Sequence, residues 1–203
     1  MIRGLAVACA LAAFVAAAVA DESSSSDAAS MRAKLATIVE TGAQPRTTNA
    51  KPVRTSFTER EINAYFAVDG PAFLPRGITT PRFSIAPLGK GERARVTARA
   101  IVDLDVVRHA QPRDLLDPFN YLSGRLEVTA AGSVGAANGV ATLQLESATM
   151  AGVSLPESVL KEVVRYFTTT PDTPNGIDIG KPFELPARIR AVTFEPGRAT
   201  VVQ

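Results

Sequence analysis

Two stretches of alternating apolar and polar residues, separated by one turn, dominate the pattern. Along Gly124–Val134, Leu126, Val128, Ala130, Gly132 and Val134 share one phase, and Arg125, Glu127, Thr129 and Ser133 share the other. A period of two marks a strand with one face buried. The run GAANG follows, and its glycines and Asn138 tolerate positive φ, so a hairpin turn is expected there. Val140–Met150 returns with Leu143 and Leu145 inward and Thr142, Gln144 and Glu146 outward. After Gly152 the period lengthens. Ser154 and Glu157 make an S-x-x-E capping box with Pro156 in the first turn. Val159, Leu160, Val163, Val164 and Phe167 then recur at helical spacing, with Lys161, Glu162 and Arg165 on the opposite side. This main amphipathic helix must be covered, and the preceding hairpin is the nearest apolar surface.

The same reading extends along the chain. Residues 82–107 predict a second hairpin turned at PLGKGE. Its return strand puts Val96, Ala98, Ala100, Val102, Leu104 and Val106 on one face and Arg93, Arg95, Thr97, Arg99, Asp103 and Asp105 on the other. A short helix is expected over Met31–Glu40, with Leu35, Ile38 and Val39 inward. Another opens at SFTEREINAYF, where Thr58 and Glu61 form a capping box and Phe57 and Ile62 a hydrophobic staple. The chain closes on a hairpin, Arg188–Glu195 and Arg198–Gln203, around a Pro-Gly turn of type II. The expected fold is α+β: a curved, mostly antiparallel sheet of about six strands, with the main helix and shorter helices on its concave face.

Residues 1–20 change the picture of compartment. Arg3, an apolar run over Leu5–Val19 and the small-x-small end Ala18-Val19-Ala20 describe a secretory leader cut after Ala20. The apolar run is short for a membrane span. Cys9 is the one cysteine, so the chain after residue 20 offers no disulfide or thiolate chemistry. Residues 21–55 are read as a polar spacer, disordered through DESSSSDAAS, then the short helix and a proline-bearing linker. Residues 56–203 form a single α+β domain. The expected location is periplasmic or extracellular.

Charge excludes more than it suggests. The formal net charge is +2, and removing Arg3 leaves +1. There is no interleaving of aromatic and basic residues, so nucleic acid is not expected as a partner. His109 is the sole histidine and lacks a second imidazole or thiolate for a metal site. Asp103 and Asp105 share a strand phase about 6.5–7 Å apart, a separation that suits paired carboxylates in glycoside hydrolysis. Cross-strand ion pairing on an exposed face accounts for them more simply. No nucleophile elbow and no phosphate-binding glycine loop occurs. The chain is therefore expected to be non-enzymatic, with no cofactor.

What fills the inward phase is more informative. Ala98, Ala100, Ala130 and Gly132 are small, yet interiors are close-packed. Either a helix lies close to the sheet, or the space takes something else, such as an acyl chain. On the second reading a groove between sheet and helix is lined by Ala98, Ala100, Val102, Leu126, Val128, Ala130, Val163 and Phe167. Arg93, Arg95 and Arg99 are candidates to meet anionic headgroups at a membrane surface. The alternative is a structural or adaptor domain of the cell envelope with a closed core.

The ending PFELPARIRAVTFEPGRATVVQ, Pro182–Gln203, and more weakly the run LESATMAGVSLP, Leu145–Pro156, carry a resemblance. In them the chain resembles the small bacterial envelope members of the tubular lipid-binding (TULIP-like) superfamily. The two segments cover about a sixth of the chain. The resemblance implies a curved sheet wrapped on a helix, with lipid in the apolar groove. The chain departs from large members in its shorter main helix, which bears on groove size. The family has no residue-specific binding motif to carry over.

Overall fold

A computed structural model gives the fold. It describes residues 24–45, 51–74, 76–109, 123–156, 158 and 180–203, with residues 107–109 as backbone only. The expected main helix over 154–167 therefore falls almost wholly outside the described residues, as does the leader.

The chain is α+β, built on one nine-stranded antiparallel sheet. Its elements are helix α1 (residues 24–43), strand β1 (Arg54–Thr58), helix α2 (Glu59–Val68), β2 (Ile78–Leu88), β3 (Arg93–Asp103), the short helix α3 (Leu104–His109), β4 (Arg125–Ala137), β5 (Val140–Met150), β6 (Val153–Ser154), β7 (Phe183–Glu184), β8 (Ala191–Glu195) and β9 (Arg198–Val202). The strand order is β1-β9-β8-β4-β3-β2, and β5 pairs with β4 and carries β6 and β7 on its far side. The expected long hairpins β2–β3 and β4–β5 and the terminal hairpin β8–β9 are all present. Gly197 at φ +65° supplies the left-handed position of the last turn. The strand count exceeds the expected six because β6 and β7 are two-residue strands and β1 runs from the end of the proposed linker into Ser56–Thr58, which were expected to open the second helix. β1 has no strong pattern of its own. It forms by pairing with β9 over the whole of Arg54–Thr58.

Two local readings need correction. The first concerns the serine run. Residues 24–30, expected to be disordered, are the first turns of α1. Their polar side chains are bound by α2: Arg60 forms an ion pair with Asp27 at 2.7 Å, and Ser30 donates to Glu61 at 2.6 Å. Low-complexity polar sequence folds here because partners 30 or so residues away satisfy it. Within α1, Met31, Leu35 and Ile38 face inward, whereas Val39 is 65% exposed. The second concerns the end of β3. The strand stops at Asp103, and Leu104 onward is helical. Asp103 Oδ1 accepts from the backbone N–H groups of Asp105 (3.1 Å) and Val106 (3.2 Å), which draws the chain into a helix.

The core lies where α1 crosses the β8–β9–β1 end of the sheet. Met31 and Ile38 pack on Phe57 and Val201, with Leu35, Ile62, Tyr65, Ile189 and Val192 around them. Close approach is built in: a Cβ on Gly42 would stand 2.6 Å from the carbonyl oxygen of Ala187. Gln203, 3% exposed, donates from Nε2 to the carbonyls of Ile38 and Ala187 and locks the last strand to α1. The capping box of α2 forms as expected, with Glu61 N donating to Thr58 Oγ1 and Thr58 N to Glu61 Oε2.

α2 also closes the β2 edge. Asn63 Nδ2 donates to Phe83 O at 2.9 Å, and Asn63 Oδ1 accepts from Phe83 N at 2.7 Å. Two residues on, Ile85 N donates to Glu59 Oε2, and Ile85 O accepts from Gly197 N. In the same phase, Pro81 and Pro87 have no N–H to offer. An edge strand would otherwise invite another chain, and here each outward donor over residues 81–87 is removed or paired.

Candidate functional site

Cross-strand partners share a face, so the register identifies what the sheet presents on each side. On one side the rows run Phe83–Ala98–Ala130–Ala148, Ile85–Val96–Gly132–Leu145 and Ala94–Val134–Leu143. Toward α3 follow Ala100–Val128–Met150 and Val102–Leu126. The described groove candidates Ala98, Ala100, Val102, Leu126, Val128 and Ala130 thus stand together on this one apolar face. Val163 and Phe167 lie outside the described residues. Ala136 is paired with Val192, which joins this face to the core beneath α1. At the β2 end it is covered by α2: Phe66 packs on Phe83 with ring centroids 4.6 Å apart, and Tyr65 and Phe73 extend the cluster.

Coverage is uneven across the face. Ala94, Gly132, Ala136, Ala141 and Ala148 are buried, but the larger Val96, Val128, Val134, Leu126, Leu143, Leu145 and Met150 are only half-buried. No large side chain among the described residues is completely buried. The strip is a surface of alanine floor and aliphatic walls, carrying no charged residue in the inward phase of β3–β5. It can hold an extended apolar group by contact alone. The alternation predicted β4, and β3 as far as Asp103. It also contained Phe83, Leu143 and Leu145, which the candidate set omitted although the same period of two marks them, whereas Ala148 and Met150 join the face only through a shift of register in β5.

One structural device shapes the strip. Between Ala131 and Gly132 the register with β5 shifts by one residue, so Glu146 is extra. At that point a Cβ on Gly132 would be 2.5 Å from the Gln144 carbonyl oxygen, so β4 and β5 approach as only glycine allows.

The arginine row lies on the opposite face. Arg93 Nη2 donates to Ser133 Oγ (2.8 Å) and Gln144 Oε1 (3.0 Å), and Arg95 pairs with Glu146. Arg99 is exposed and stands opposite Arg82 on β2 and Thr129 on β4. The groove and headgroup candidates are thus separated by the thickness of the sheet. Asp103 and Asp105 bind backbone: Asp103 caps α3, and Asp105 Oδ2 accepts from Gly124 N at 3.1 Å. Their shared strand phase does not exist, because Asp105 lies in α3. His109 is the last residue of that helix.

No family model matches the chain, and neither a curated protein nor a solved structure matches it.

Proposed function

We propose that this chain is an exported, non-enzymatic protein that binds or shields a lipid or other apolar ligand on the alanine-floored face of β3–β5. The observation that carries the reading is the half-buried state of that face. Its aliphatic residues are continuous across three strands and uncharged, yet none of the larger ones is sealed. Burying apolar surface is worth about 0.8 kcal/mol per methylene, so ten methylenes would contribute about 8 kcal/mol before ordering costs. That suffices for useful affinity without a charged clamp. Export rests on the leader pattern of residues 1–20, and the TULIP-like resemblance is in keeping with the reading.

A second reading has its own observation. Five small residues on the same face are buried, as they would be under a closely packed cover. The chain would then be a structural or adaptor domain of the envelope with a closed core. Native mass spectrometry of protein purified under mild conditions separates the two. Co-purifying lipid that is released on denaturation supports the first, and a bare mass supports the second.

A further inference from the structure

The β2–β3 pair carries an arrangement that stability alone does not favour. Arg82 and Arg99 stand directly opposite each other in the register, both exposed, on the polar face of the sheet. Like charges placed so are destabilising. Neighbouring arginines on this face are compensated: Arg95 by Glu146, Arg93 by Ser133 and Gln144. Among the described residues, neither Arg82 nor Arg99 has an ion pair, and Glu127, diagonal to Arg99 across β4, forms none with it.

The juxtaposition is set by the hairpin turn, because the register runs unbroken from Leu88 opposite Arg93 to Arg82 opposite Arg99. Thr79 is paired with Ile101 and Arg82 with Arg99, so β2 spends three residues where β3 spends two. The bulge, with Thr80 held at φ 47°, lies just beyond the pair and ends that register. Around the pair lie hydroxyls: Thr129 opposite Arg99 on β4, and Ser84 opposite Thr97 in the next row.

We propose that Arg82 and Arg99 form a binding site for a phosphate group, with Thr129, Thr97 and Ser84 as its neutral donors. Two guanidinium forks and adjacent hydroxyls match the tetrahedral array of phosphate oxygens, and the anion removes the repulsion between the arginines. The site is independent of the apolar face, which lies on the other side of the sheet. The bound group belongs either to a lipid headgroup at a membrane surface or to a soluble phosphate-bearing molecule.

The test is calorimetric titration of the full chain with inorganic phosphate at constant ionic strength, beside thermal melts in chloride. Wild type should bind phosphate, and Arg82→Gln and Arg99→Gln should each weaken binding about tenfold or more. Arg198→Gln, on β9, should leave it unchanged. In chloride alone both site variants should melt at or above the wild-type temperature, because they relieve repulsion. Co-sedimentation with phosphatidylglycerol and phosphatidylcholine vesicles identifies the source. Arginine-dependent binding to the anionic vesicles assigns a headgroup, and phosphate binding without it assigns a soluble ligand. A wild type that does not bind phosphate, or binding that survives both substitutions, overturns the proposal.

Discussion

Glu61 joins three parts of the fold, and its removal should be legible in the pH dependence of stability. It caps its own helix through Thr58, and it accepts from Ser30 Oγ and Lys34 Nζ of α1, each at 2.6 Å. Burial alone would raise its pKa. The hydrogen bonds from Lys34, Ser30 and Thr58 outweigh that and lower it from 4.5 to about 2. The ionised form is therefore favoured by folding. Its stabilisation is fully present above pH 4.5 and is lost as the pH falls toward about 2. A shift of this size corresponds to about 3 kcal/mol. Glu61→Gln keeps the volume and one acceptor oxygen but removes the charge. In urea denaturation the variant should be about 2–3 kcal/mol less stable than wild type at pH 7, and the gap should close progressively between pH 4.5 and 2. Taking the difference between the two proteins cancels the other carboxylates. A gap that stays constant from pH 7 to the acid limit would show that Glu61 acts through shape alone and would refute the reasoning.

Asn63→Ala should cost about 1–3 kcal/mol in chemical denaturation, since both backbone groups of Phe83 lose their partner at the β2 edge. Asn63→Asp, which keeps the acceptor and loses the donor, should fall between. Gly132→Ala should destabilise by about 1–3 kcal/mol or more, because the new methyl meets the backbone of Gln144 and Leu145, and a melting temperature equal to wild type would show that the strands can part there. Exported protein should begin at Asp21 or within a few residues of it by N-terminal sequencing, and an intact Met1 on membrane-bound material would contradict the leader reading.

Much of the fold was legible because β3 and β4 keep an unbroken period of two. The β2–β3, β4–β5 and β8–β9 hairpins and the Thr58–Glu61 capping box follow from local pattern and turn chemistry alone. What escaped depends on distant partners. Residues 24–30 look like a polar spacer until Arg60 and Glu61 are placed beside Asp27 and Ser30. β1 is a strand only through β9. At Asp103 the alternation continues through Val106, but a side chain that caps the backbone turns the chain into a helix. The six described groove candidates share a face because period two carries through an unbroken register from β3 to β4. The extension of β2 to Ile78 and Thr79 could not be read, since a one-residue bulge at Thr79–Arg82 reverses the phase of those residues.

The claim that the face of β3–β5 receives an apolar ligand is tested most directly at Ala100, which stands in the row with Val128 and Met150 and is half-buried. A fluorescent fatty acid is titrated into wild type and Ala100→Phe, and both proteins are melted. Saturable binding by wild type is expected, with binding weakened at least tenfold in the variant and melting temperatures that nearly coincide, because the ring occupies space meant for ligand. A closed core predicts the reverse: no probe binding by wild type, and a variant overpacked by about 1–3 kcal/mol with a clear drop in melting temperature.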